Sequence, residues 1–335
     1  MSGAIVIQFI QRAILQGTPL LFGSTGEIIT EKSGNLNLGI PGIMYMGGIS
    51  GVIGGFLYQE AAGNNINSFL AILIPTLSAL LGSLLVSLLY CFLTVTLRAN
   101  QNVTGLALTT FGVGFGNFFG GSLIKVLKSD VPYIALTRIA KVFKTPLPFA
   151  KKLGWFGEIF FSYSFMVYLA VILAVITAVI LMKTKVGLQL RAVGENPATA
   201  DAAGINVTKY KYFATCIGGM IAGLGGLYYV MDYCNGVWSN GAFGDRGWLA
   251  IALVIFATWK PLFAILGSYL FGALYVLYNY VDAFFGIKLS MPMIPLFQML
   301  PYVVTILVLI IVSVRNKKEN QPPASLGNNY FREDR

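Results

Sequence analysis

The stretch Lys183–Lys211, KTKVGLQLRAVGENPATADAAGINVTKYK, is a polar interruption between two long apolar runs, Phe160–Met182 and Tyr212–Met231. A bilayer core about 30 Å thick takes roughly 20 apolar residues of helix. Each flank therefore reads as a membrane span, and the stretch as a structured loop joining them at one face. Within it Asn196 is placed to cap a short helix, Pro197 suits the first helical position, and the alanine-rich residues 198–203 favour helix. Gly204 is positioned to end that helix in the left-handed conformation. A short amphipathic helix along a membrane face, with small residues outward, is suited to dock into a groove on a partner.

The rest of the chain stays apolar. Of 335 residues, 56% are hydrophobic and 11% charged, against about 25% charged in an ordinary soluble domain. A soluble helical protein is excluded. The candidate spans are Phe9–Ile29, Leu38–Tyr58, Asn67–Leu97, Val103–Ile124, Phe160–Met182, Tyr212–Met231, Gly247–Trp259, Leu262–Asp282 and Pro295–Val314. Gly247–Trp259 is short and runs into Lys260-Pro261, where proline cannot donate to a helix ladder, so it reads as a tight helical pair or a broken helix. The predicted fold is an all-α polytopic membrane protein of about nine helices (range 8–10). Residues 1–8 form an extracytoplasmic N-terminal segment, 9–314 the transmembrane domain, and 315–335 a disordered cytoplasmic tail rich in Asn, Pro and charge.

Basic residues orient the spans. Lys183, Lys185, Arg191, Lys209 and Lys211 of the polar loop, Arg315, Lys317 and Lys318 of the tail, and Lys32, Arg98 and Lys260 fall on one side of a nine-crossing count. By the positive-inside rule that side is cytoplasmic. The segment 125–158 is basic too, yet the count places it outside; the rule is weaker for longer loops. The net charge of +10 reflects this orientation and contact with anionic lipid, not nucleic acid.

Several chemistries are absent from the chain. It has no histidine, which removes Ser-His-Asp and Cys-His catalysis and every His-ligated metal site. Cys91, Cys216 and Cys234 lack metal-binding spacing and read as packing residues. The N-terminus has no charged region and cleavage site of a signal peptide.

Glycine recurs at every fourth position in Gly47, Gly51 and Gly55, in Gly112, Gly116 and Gly120, and, with alanine, in Gly218, Ala222 and Gly226. Small residues so spaced let helix backbones approach closely. A faint repeat links Ser33–Gly39, SGNLNLG, to Gly241–Gly247, GAFGDRG, each ahead of an apolar run and on opposite faces of the count. That is the pattern of inverted halves with interrupted helices near a translocation route.

Three motifs in order carry a family resemblance. RAVGENPATADAAGINVTKYK (Arg191–Lys211) resembles the cytoplasmic coupling motif of bacterial ABC importer permeases of the ribose, simple-sugar and purine-nucleoside type, in the branched-chain amino acid permease-like superfamily. GTPLLFGSTGEIITEKSGNLNLGIPGIMYMGG (Gly17–Gly48) resembles the amino-terminal signature. GDRGWLAIALVIFATWKPLFAILGSYLFG (Gly244–Gly272) resembles the carboxyl-terminal half, closest to the nucleoside branch. Pro41 departs from the Glu expected in that branch.

The resemblance implies a non-catalytic permease subunit in the bacterial cytoplasmic membrane, moving a nucleoside, simple sugar or related small polar solute. It implies a second permease subunit, identical or paralogous, and an extracytoplasmic solute-binding protein or lipoprotein. ATP and Mg would sit on separate ATPase subunits, which contact Arg191, Gly194, Glu195, Asn196, Pro197, Ala200, Ala203, Gly204 and Ile205. The chain itself carries no cofactor, and it has no G-x-x-x-x-G-K-[ST] phosphate loop. Asn35, Asn37 and Asn102 are path candidates because a buried amide is costly unless hydrogen-bonded or hydrated. Arg246 and Trp248 of the third motif are further candidates. The alternative is an ion-coupled secondary transporter, which usually needs an intramembrane charge. Glu27, at the end of the first span, is expected instead to pair with Lys32 or to cap backbone.

Overall fold

Lipid offers a backbone amide no water, so apolar runs of this length close their hydrogen bonds within helices. The computed structural model describes residues 3–63, 65–126, 134–146, 150–241, 243–288, 291–315 and 320–332. The helices are α1 (Gly3–Glu31), α2 (Ile40–Ala62), α3 (Ser68–Cys91), α4 (Gln101–Val126), α5 (Thr137–Phe143), α6 (Gly154–Phe160), α7 (Phe165–Lys183), α8 (Lys185–Glu195), α9 (Pro197–Ala202), α10 (Val207–Tyr228), α11 (Arg246–Phe256), α12 (Pro261–Val276), α13 (Val281–Phe285), α14 (Ile294–Gln298) and α15 (Leu300–Arg315). Five-residue π-helical turns extend α3 through Thr96 and α10 through Tyr233. The described strands are β1 (Ile134–Ala135) and β2 (Val237–Trp238), paired antiparallel with Ile134 opposite Trp238.

Among the described residues, seven helices are long and apolar enough to cross a membrane: α1, α2, extended α3, α7, extended α10, α12 through Asn279, and the α14–α15 stretch Ile294–Ile311. The glycine- and amide-rich α4 has the length, at 26 residues. Gly247–Trp259, one of the nine candidate spans and read as a tight helical pair or a broken helix, is a short helix that ends before Lys260-Pro261. α11 has 11 residues, about 16 Å of helix, roughly half the hydrocarbon thickness. It is followed by Thr258 and Trp259 with φ of 50° and 55°, and the chain restarts at Pro261.

Helices α2 and α10 form the centre, each 83% buried over its most apolar window, whereas α3 is 33% buried. Their approach rests on glycine: a methyl at Gly47 would overlap the Gly223 carbonyl, and one at Gly226 the Met44 carbonyl. Likewise Gly42 of α2 meets Gly112 of α4, and Gly26 of α1 meets Gly218 of α10. Gly51 abuts Leu227, Gly55 abuts Leu136, and Gly116 and Gly120 receive the rings of Tyr45 and Trp238. Outward, Leu81, Leu85, Ile172, Val179, Leu266 and Ile306 are exposed, the apolar wall that lipid would cover.

Two ends of the bundle are distinct. At one, Gln11 Nε2 donates to Glu158 O at 2.9 Å and Arg138 Nη1 to Gly63 O at 3.4 Å, so the described parts of 125–158 sit there with β2. Residues 127–133 and 147–149 of that segment lie outside the described residues. The other end gathers the 32–39 turn, the α3–α4 junction, α8, α9, Lys260 and the C-terminal segment.

The tail expected to be disordered is corrected over 320–332. Ser325 donates both N (3.0 Å) and Oγ (2.6 Å) to Gly194 O, and Gly327 N reaches Gly34 O at 3.2 Å. Asn329 Nδ2 donates to Arg98 O at 2.6 Å, and Tyr330 OH to Asp201 Oδ2 at 2.9 Å. Its order comes from polar side chains satisfying backbone carbonyls at turns, which an apolar-burial criterion for disorder does not register. Residues 316–319 and 333–335 lie outside the described residues. At the other terminus, Gly3–Gln8, expected as a segment ahead of the first span, is helical as the first part of α1.

Candidate functional site

The 32–39 turn is an interruption between α1 and α2 whose polar groups need partners away from water. Four helices supply them. Asn37 N donates to Glu27 Oε1 at 3.1 Å, and Leu36 N to Gln101 Oε1 at 2.7 Å. Tyr90 OH donates to Leu36 O at 2.6 Å and Thr109 Oγ1 to Leu38 O at 2.8 Å. Asn35 Nδ2 donates to Thr215 Oγ1 at 3.1 Å, and Asn37 Oδ1 accepts from Gly39 N at 2.9 Å. Both asparagines are fully buried. Each keeps one amide atom, Asn35 Oδ1 and Asn37 Nδ2, with no hydrogen-bond partner among the described residues. Glu27 thus caps backbone. Its neighbour one turn on, Glu31, accepts from Trp259 Nε1, which pins the end of the α11 segment to α1.

Asn102 is exposed at the start of α4, and the adjacent Gln101 takes the buried position. The alternation is set by helix phase: one residue turns the side chain about 100° around the axis.

The second interruption, 234–245, packs against α2, α4 and the end of α10. Tyr45 OH donates to Asn117 Oδ1 at 2.9 Å, and Gly241 N donates to Tyr45 OH at 2.9 Å. Tyr45 packs edge-on against Trp238 and Phe243, with ring centroids 5.3 and 5.7 Å away. Phe243 in turn meets Tyr229 at 4.8 Å. Arg246, buried at the start of α11, places its guanidinium 4.4 Å from the Tyr229 ring centroid and donates to Phe243 O at 2.9 Å. Its Nη2 lies 3.5 Å from Gln16 Oε1. Trp248 is half-buried beside it. The space enclosed by Tyr45, Tyr229, Trp238 and Phe243 is only about 10 Å³, room for about one water, so the rings are closed on one another. Trp238 Nε1 is buried with no hydrogen-bond partner among the described residues.

At the far end, α8 and α9 form two short helices. Thr184 caps α8 through Gly187 N at 3.1 Å, and Asn196 caps α9 through Thr199 N at 2.9 Å. Gly194 is seated on the Lys32 carbonyl, where any Cβ would overlap it. Ala200 is buried with Val193 and Val207, and Ile205 packs beside them. Pro197 is half-buried, while Arg191, Glu195, Asn196, Ala203 and Gly204 are exposed. Gly204 has φ +80° and open space around it. Burial lowers the Lys32 pKa below the usual ammonium value, with Glu195 pulling it up and Arg191 pushing it down.

Seven membrane-length apolar helices among the described residues, two polar interruptions and a paired-helix loop at one end fit a transport subunit. The family model for the branched-chain amino acid transport system / permease component matches residues 9–312. The chain belongs to that family. It is a multi-pass membrane protein and the non-catalytic permease subunit of an ABC importer. The permease is 33% identical over 300 residues to the nucleoside ABC transporter permease protein NupC of Lactococcus lactis, covering 88% of this chain and 89% of the relative. It is 30% identical over 308 residues to the guanosine ABC transporter permease protein NupQ of Bacillus subtilis, with 88% and 89% covered. It is 33% identical over 257 residues to the putative glucose ABC transporter permease protein TsgC13 of Haloferax volcanii, with 77% and 72% covered. No solved structure matches the permease. As in the family generally, ATPase and substrate-binding partners accompany such a subunit.

The sequence reading omitted Tyr45, Asn117, Trp238 and Phe243. Asn117 carried a signal, a lone amide inside a glycine-rich apolar run; the aromatic residues carried none apart from their partners.

Proposed function

We propose that this permease forms part of the path for a nucleoside across a bacterial cytoplasmic membrane, paired with a second permease subunit. ATP and Mg act on a partner ATPase that contacts the α8–α9 unit through Arg191, Glu195, Asn196, Pro197, Ala203, Gly204 and Ile205, with Gly194 and Ala200 buried beneath that surface. An extracytoplasmic binding protein or lipoprotein delivers solute at the opposite end. The observation that carries the nucleoside reading is the aromatic cluster of Tyr45, Tyr229, Trp238 and Phe243 with the Asn117 amide, where the second interruption packs on α2 and α4. Aromatic faces stack on bases and amides pair with base edges, whereas a sugar asks chiefly for hydroxyl partners. Relatives named for nucleoside and guanosine transport support it. Arg246 and Trp248 stand at the start of α11 beside this cluster, and the free amide atoms of Asn35 and Asn37 offer further polar contacts toward the other end. Asn102, exposed at the start of α4, is the weakest of the path candidates.

The test is uptake by proteoliposomes holding the permease with its ATPase and binding protein. ATP-dependent accumulation of labelled guanosine or adenosine, uncompeted by glucose or ribose, is the expected result. Glucose accumulation with no nucleoside uptake would replace the solute assignment; gradient-driven uptake by the permease alone would remove the ATPase from the scheme.

A further inference from the structure

We infer that the C-terminal segment 320–332 is part of the surface on which the ATPase docks, and that a groove it completes beside α9 receives an acidic segment of that ATPase. This rests on the reading of α9 as the ATPase contact.

The segment is a strap across the end of the bundle. Lys260 Nζ donates to Asn320 Oδ1 at 2.8 Å at its start. Ser325 then closes on Gly194 O, and Ala324 N reaches Glu195 Oε2 at 3.4 Å. Further on, Gln101 Nε2 donates to Asn329 Oδ1 at 3.2 Å, and Asn329 Nδ2 to Arg98 O. The last described residues turn onto α9, with Tyr330 OH on Asp201 Oδ2 and Arg332 Nε 3.1 Å from the same oxygen. One strand of polar chain thus ties α8 and α9 to the 32–39 turn and to the α3–α4 junction. Anything pressing on α9 from this end meets the strap as well.

The groove lies between the strap and the α9–α10 connection. It has a volume of about 740 Å³ and is lined by Arg98, Gly204, Lys209, Tyr212, Tyr330 and Arg332. Arg98, Lys209 and Arg332 are exposed cations on its rim. Arg98 is held there by the Phe331 ring at 4.6 Å. The acid in its wall, Asp201, is already engaged by Tyr330 and Arg332, so the groove presents positive charge outward. Gly204, at the exposed end of the helix assigned to the ATPase, lines it. Complementary charge favours an acidic partner segment and raises its encounter rate.

The experiment titrates the co-expressed ATPase against the full-length permease in nanodiscs. One variant combines R98E, K209E and R332E, another is Tyr330→Phe, and a third ends the chain at Arg315. The exposed charge reversals keep the test readable if the truncation fails to fold. The expected result is binding of the ATPase to the unaltered chain, weakened about tenfold by the triple reversal with a flattened salt dependence, and partly recovered by reversing acidic residues cross-linked to an Arg332→Cys variant. Equal binding by the triple reversal overturns the inference. So does a truncated chain that binds more tightly or hydrolyses ATP faster in the complex, since the strap would then be a plug. Loss of anionic-lipid binding in nanodiscs, with ATPase binding intact, assigns the cations to lipid phosphates and also overturns it. If the unaltered chain binds no ATPase, the assignment of α9 itself fails.

Discussion

Gly247 lies directly on Pro41: a methyl group at Gly247 would overlap the Cα and Cβ of Pro41. The first turn of α11 is thereby seated on the first turn of α2, joining two helix starts 206 residues apart in sequence. Pro41 lacks an amide hydrogen, and at the start of a helix that absence costs nothing. The same lack of a donor lets α11 approach without leaving a buried group unpaired.

Gly247→Ala should therefore destabilise the permease by overpacking, by about 1–3 kcal/mol. Thermal unfolding in detergent measures it. A melting temperature equal to that of the unaltered chain would mean the junction yields freely, contrary to the backbone contact seen here.

Glu27 accepts from Asn37 N inside the bundle. Glu27→Gln keeps an acceptor oxygen and should fold and transport nearly as the unaltered chain does. Glu27→Ala strands a buried amide hydrogen, costing about 1–3 kcal/mol. Comparing the melting of the two variants separates a capping role from a charge requirement, for loss of uptake in Glu27→Gln alone would point to proton coupling.

Asn117 receives both Tyr45 OH and Gly241 N, the latter at 3.3 Å. Asn117→Leu should fold with a modest penalty, about 1–3 kcal/mol, and lower nucleoside uptake chiefly through a raised KM. Unchanged uptake kinetics would remove the aromatic–amide cluster from the path.

Gly204 stands at φ +80° with nothing near a Cβ. Gly204→Ala should cost about 1 kcal/mol of local strain and insert normally. In the reconstituted complex, ATP hydrolysis should persist while uptake falls. Matched hydrolysis and uptake in this variant would end the assignment of the α9 terminus as a coupling contact.

The sequence alone determined the class of molecule, the seven membrane-length apolar helices and the α9 cap, because each depends on residues within a few turns of one another. Run length sets a span, and Asn196, Pro197 and Gly204 set a short helix wherever it lies. The half-length of α11 was partly legible from Lys260-Pro261, while α8 was concealed inside a loop reading. What only the tertiary structure decided was which polar groups are shared. Gln101 and not Asn102 meets the 32–39 turn, Tyr45 reaches Asn117 and Gly241, and the C-terminal strap closes on Gly194 and Asp201. Those contacts join elements far apart in the chain, brought together where glycines let α2 and α10 approach to backbone distance. Local pattern carries helix propensity and burial phase, but not the identity of the opposing backbone; that is fixed only when the glycine faces have packed.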